Sequence, residues 1–142
     1  MTRTPAGLPA KLEHFIGGVR TPSADGATFE VADPVTNRPY ATVAAGGPDD
    51  VDRAATAAAQ AFTEGPWPHL PSRERARILT KIADGIEARA ARIAELETFD
   101  TGLPITQARG QAARAAENFR FFADMTVTLH EDAFTTRGVQ FG

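Results

Sequence analysis

The chain has 142 residues, 42% of them hydrophobic, with 15 basic against 18 acidic side chains and a formal net charge of -3. That balance is expected of one soluble domain and argues against a nucleic-acid partner, whose footprint would be a clustered basic surface. With no cysteine and only three scattered histidines, it excludes a disulfide framework, a thiolate nucleophile within these residues and a cysteine metal site. No apolar run is long enough to cross a bilayer and the first ten residues lack the order of a secretory signal, so a cytoplasmic location is expected.

In chain order, residues 1–13 contain Pro5 and Pro9 and are expected to form a flexible arm. Order is expected from His14: a strand over Phe15 to Arg20, turn-prone residues from Thr21 to Gly26, and a second strand at Thr28 to Val31 with period-two alternation. Asp33 to Pro39 carries turn chemistry at both ends, and Tyr40 to Ala45 predicts a third strand.

At Gly46 and Gly47 the period changes. Pro48 suits the first helical position, and Asp49, Asp50 and Asp52 favour the positive end of a helix dipole, which explains them more simply than a metal site does. Val51, Ala55, Ala58 and Phe62 recur on one face, and Gly65 with Pro66 closes the segment. Trp67 to Pro71 is a tight connector whose tryptophan is expected to plug a core edge. Ser72 is placed as the N-cap of one long helix with an apolar stripe of Ala76, Leu79, Ile82, Ala83, Ile86, Ala90, Ile93 and Leu96, stopped by Gly102 and Pro104. A third helix, Thr106 to Thr128, is alanine-rich and ends in Phe119, Phe121, Phe122 and Met125. Strand character returns in Phe134 to Phe141. A trailing strand without a sequence neighbour implies surfaces made for further chain or for another subunit.

Asp100, Thr101 and Gly102 spell an aspartic-protease tripeptide, but it occurs once, where a helix terminator is required anyway. No glycine pattern of a dinucleotide fingerprint or phosphate loop is present. On the third helix, Arg114 shares a face with Asn118 one turn on. Its position alone favours a surface arginine pairing with Glu117 or Glu131.

Several segments, taken in order, resemble the aldehyde dehydrogenase superfamily from near His14 to Gly142. Phe15 to Gly18 with Val31 to Thr36 is similar to the family's opening hairpin and "NP-x-T" turn, with Asp33 in place of asparagine. Asp49 to Ala59 resembles its "DVD-A-AAA" helix, and Arg75 to Ile86 its "R-R-L-x-x-I-A-x-x-I" stretch. Glu95 to Pro104 resembles "ELE-x-x-D-x-GKP", with Leu103 for the usual lysine. The resemblance implies an α/β fold, α+β as an isolated fragment. In it, residues 14–128 are the N-terminal part of a nucleotide-binding domain, a β-hairpin and three amphipathic helices, and residues 129–142 start an oligomerisation β-extension. It implies NAD or NADP as cofactor of the full-length protein, with none expected for this chain alone. The expected partners are a missing C-terminal portion or homologous subunits. The family's nucleophilic cysteine and its glutamate base would lie downstream, so the chain alone is expected to be inactive.

Arg114 to Ala123 looks most like the branch that oxidises hydroxymuconic and aminomuconic semialdehydes. There the resemblance implies a substrate-tunnel role for Arg114, whose planar fork suits a carboxylate. It also implies a monovalent-cation role for Asp100 with backbone near Val31 and Ala32. The alternative is a small, non-catalytic binding or regulatory module derived from the same fold.

Overall fold

The computed structural model describes residues 7–128, a mixed arrangement of short strands followed by helices. β1 (Lys11–Leu12), β4 (Thr28–Ala32) and β5 (Pro39–Ala44) form one sheet in the order β1-β5-β4, and β2 (His14–Ile16) pairs with β3 (Val19–Thr21) in a second. The helices are α1 (Pro48–Thr63), α2 (Ser72–Glu87), α3 (Ala90–Thr101) and α4 (Ile105–Thr128), with one 3-10 turn at Trp67–His69. The strand expected at Phe134 to Phe141 lies outside the described residues.

Four expectations change here. The run from Phe15 to Arg20 is not one strand. Gly17 and Gly18 both take positive φ, 59° and 84°, a conformation glycine adopts without steric cost, and they fold the run into the β2–β3 hairpin. The arm of residues 1–13 is ordered at its end, because β1 runs parallel to β5 with Lys11 opposite Thr42 and Leu12 opposite Val43. The long helix divides at Ala88 and Arg89 into α2 and α3, giving four helices rather than three. Ser72 is the first residue of α2, whose N-cap is Pro71. Gly102 does end α3 in the left-handed conformation, at φ 76°.

The core is made of alanine. Ala108, Ala112, Ala116 and Ala123 form the buried stripe of α4, which packs on α2 and α3, where Ala83 and Ala94 are fully buried. No large side chain is completely buried among the described residues. Residues without side-chain bulk let helix backbones approach closely, and Arg120 of α4 ties the seam to α2 through Asp84 at 3.2 Å and Glu87 at 2.5 Å.

The apolar face expected on α1 is real but points outward. Val51, Ala55, Ala58 and Phe62 are all exposed, Phe62 at 75%. Trp67, expected in a core edge, is 41% exposed. α1 is held at its start instead, by Asp50. The Asp50 carboxylate is buried and accepts the Gly47 N–H at 3.0 Å and the Ala24 N–H at 3.1 Å. It also pairs with Arg53 and lies 3.8 Å from Nε2 of His14. One side chain therefore joins the loop after β3, the start of α1 and the hairpin. These contacts hold its pKa below the ordinary carboxylate value, the Gly47 N–H contributing most and Arg53 next.

Candidate functional site

Of the three arginines of α4, one is paired and two are exposed. Arg120 is committed to Asp84 and Glu87. Arg109 and Arg114 are exposed, and Arg114 forms no ion pair among the described residues, although Glu117 lies nearby in sequence. Successive residues of a helix advance by about 100°. On that spacing Gly110, Arg114, Asn118 and Phe121 fall on the side of α4 away from the alanine stripe, and all four are exposed. Phe121 and Phe122 make an edge-to-face pair with centroids 5.4 Å apart, and both remain more than half exposed. The outer face of α4 thus runs from a clearing at Gly110 past a guanidinium and an amide to an aromatic pair.

Asp100 lies on a different element, α3. It is exposed near the end of α3, and its Oδ1 accepts the Tyr40 hydroxyl at 2.5 Å. The Tyr40 ring meets Phe99 edge to face, with centroids 4.6 Å apart. Burial, then the Asp100 hydrogen bond, then the charges of Asp100 and Asp33 push the Tyr40 hydroxyl up to about 12. A groove of about 340 Å³ opens beside this pair, between Leu8, Leu12 and Tyr40 on one side and Ile93, Leu96 and Asp100 on the other.

The turn after β4 approaches the same corner. Both Asp33 carboxylate oxygens are engaged within the turn, by the Val35 N–H and the Thr36 hydroxyl, each at 2.9 Å. Pro34 stands next to Gly102, 3.6 Å from where a Cβ would sit. The register of β4 against β5 shifts between Val31 and Ala32, so the ladder is irregular at its end beside this turn.

Arg114 and Asp100 therefore belong to two separate features, opposite in character. The sequence reading missed the Tyr40 partnership of Asp100, since 60 residues separate the two. It also missed Asp50 as a junction. The acidic cluster was visible, and the signal that sets Asp50 apart from the exposed Asp49 and Asp52 is its place three residues after the Gly47 N-cap, where a carboxylate reaches back to the N-cap N–H.

Comparison with known proteins gives this arrangement a context. The aldehyde dehydrogenase family model matches residues 21–140. Aldehyde dehydrogenase 1 of Tanacetum cinerariifolium is 48% identical over 110 residues, covering 77% of this chain and 22% of that protein. A 2-hydroxymuconic semialdehyde dehydrogenase of Pseudomonas sp. is 41% identical over 125 residues, covering 87% of this chain and 26% of that protein. Among solved structures, the NAD+ complex of an aldehyde dehydrogenase from Bacillus cereus superposes with a TM-score of 0.80 at 34% identity, over 84% of this chain and 25% of that one. The chain spans about a quarter of the length of the relatives it matches. No helix among the described residues is long and apolar enough to cross a membrane. A match over 120 consecutive positions, residues 21–140, and a shared fold at this identity lead to one conclusion: the chain belongs to the aldehyde dehydrogenase family.

Proposed function

We propose that this chain forms the N-terminal layer of an NAD(P)-dependent dehydrogenase that oxidises a carboxylate-bearing semialdehyde to the acid, with Arg114 binding the substrate's carboxylate. The observation that carries this is the contrast within α4. Arg120 is spent on a structural pairing, whereas Arg109 and Arg114 are exposed with no ion pair among the described residues, and of these two it is Arg114 that shares the outward face with Asn118 and Phe121. An exposed guanidinium without a counter-charge is available to a planar anion, and two parallel charge-assisted bonds give it selectivity for a carboxylate. The similarity to a 2-hydroxymuconic semialdehyde dehydrogenase agrees with a substrate of that charge.

No cysteine occurs among these residues, so the nucleophile that attacks the aldehyde comes from chain beyond them. A nicotinamide cofactor accepts the hydride in this chemistry, and no residue of this chain is assigned to hold it. Asp100 is proposed as the carboxylate of a monovalent-cation site with the backbone at Val31 and Ala32. Potassium titration followed by thermal denaturation, with Asp100→Asn as control, tests that assignment.

The decisive experiment is Arg114→Ala in the dehydrogenase that carries this segment. Loss of a charge-assisted pair costs about 1.5–3 kcal/mol, so KM for a semialdehyde carboxylate rises about ten- to a hundredfold while an uncharged aldehyde is little affected. Equal effects on both substrates, or none on either, would return Arg114 to the role of a surface residue.

A further inference from the structure

Gly110 lies in the second turn of α4, and nothing in the described packing demands a glycine there. Its φ is not positive, so the backbone does not require it. A Cβ built on it would meet no atom within 4 Å beyond its chain neighbours and its own helical backbone, so close packing does not require it either. Glycine is the poorest helix former after proline, and alanine, the best, occupies many other positions of this helix. What distinguishes the position is its neighbour. Gly110 is one turn before Arg114 on the same outward face, the spacing at which helical side chains meet.

We infer that Gly110 is a specificity-determining position, whose missing side chain leaves room beside the Arg114 guanidinium for a carboxylate carrying a substituent on its α-carbon. A bare carboxylate needs only the fork itself. A branched or substituted one must place extra atoms against the helix surface next to the fork, and one turn N-terminal to Arg114 that surface is backbone alone. Asn118, one turn beyond on the same face, supplies a polar amide on the other side, so the clearance lies specifically toward Gly110. This inference rests on the proposed carboxylate-binding role of Arg114.

The test uses the dehydrogenase that carries this segment and three substrates: an unsubstituted ω-oxo carboxylate, its α-methyl counterpart, and an uncharged aldehyde of the same length. A single added carbon in a fitted site changes discrimination by about ten- to two-hundredfold. Gly110→Ala is therefore expected to lower kcat/KM for the α-methyl substrate about tenfold, Gly110→Val further, with the unsubstituted carboxylate affected less and the uncharged aldehyde within about twofold. Gly110→Ala should also raise the melting temperature, since alanine favours the helix, which separates lost clearance from lost structure. Parallel losses on all three substrates, or no loss on any, would overturn the clearance role. In that case a selective Arg114→Ala effect on both carboxylates leaves the parent reading standing; an unselective one removes both.

Discussion

The Tyr40 hydroxyl donates to Oδ1 of Asp100 at 2.5 Å, joining β5 to the last turn of α3 across 60 residues of sequence. An unfolded tyrosine ionises near 10, whereas Tyr40 in the fold is pushed up to about 12. The stability it contributes is fully present below pH 10 and is lost as pH rises toward 12, because the unfolded chain ionises first. Tyr40 is the one tyrosine of the chain, so the rise of tyrosinate absorbance with pH reports it alone. A midpoint near 12 is expected, and Tyr40→Phe should lower stability by about 0.5–1.5 kcal/mol at neutral pH. A midpoint near 10 would mean that the Asp100 contact does not persist in solution.

Asp50 has the opposite sign. Its carboxyl is held below the ordinary 3.8, so its contribution is present above that value and is lost as pH falls through the depressed one. Asp50→Asn should melt at lower temperature than the parent at neutral pH, and the two curves should converge in acid. Parallel curves across the acid range would show that the carboxylate charge is not what fastens α1.

The alanine seam predicts intolerance to bulk. Ala83 is fully buried where α2 meets α4, so Ala83→Leu should cost about 1–3 kcal/mol by overpacking, measured by denaturant titration. An exposed alanine such as Ala55 replaced in the same way should change stability little.

Phe15 at 74%, Phe62 at 75% and Val51 at 62% exposure are large apolar side chains open to solvent. The purified chain is expected to bind an apolar fluorescent dye and to associate at rising concentration, and Val51→Ser with Phe62→Ser should reduce both. A sharp monomeric sedimentation boundary without dye binding would contradict this.

Much of this fold was legible because its signals are local. Pro48 opens α1, Gly102 closes α3 in the left-handed conformation, and the alanine content of α4 announced close packing. The misses have physical reasons. Periodicity shows that Val51, Ala55, Ala58 and Phe62 share a face but not what covers it, and in this chain they are exposed. The stripe from Ala76 to Leu96 runs on through Ala88 and Arg89, and the one nearby glycine, Gly85, lies inside the last turn of α2 rather than at the division. β1 pairs over two residues with a strand 31 positions away, Lys11 to Thr42, which leaves no local pattern. Of the candidate site, the chemistry of Arg114 was visible. Its freedom from the pairing that occupies Arg120 is a matter of tertiary geometry.

Alanine spacers give the α2–α4 seam a further role. The fully buried side chains of the seam are alanines, so added bulk there finds little slack to absorb it. A methylene added on the inner side of α4 is therefore expected to act as a shim, shifting the helix and with it the Arg114 guanidinium on the outer side. On the proposed carboxylate-binding role of Arg114, substitutions at Ala112 or Ala116 are expected to change where that cation points as well as how firmly the helices hold.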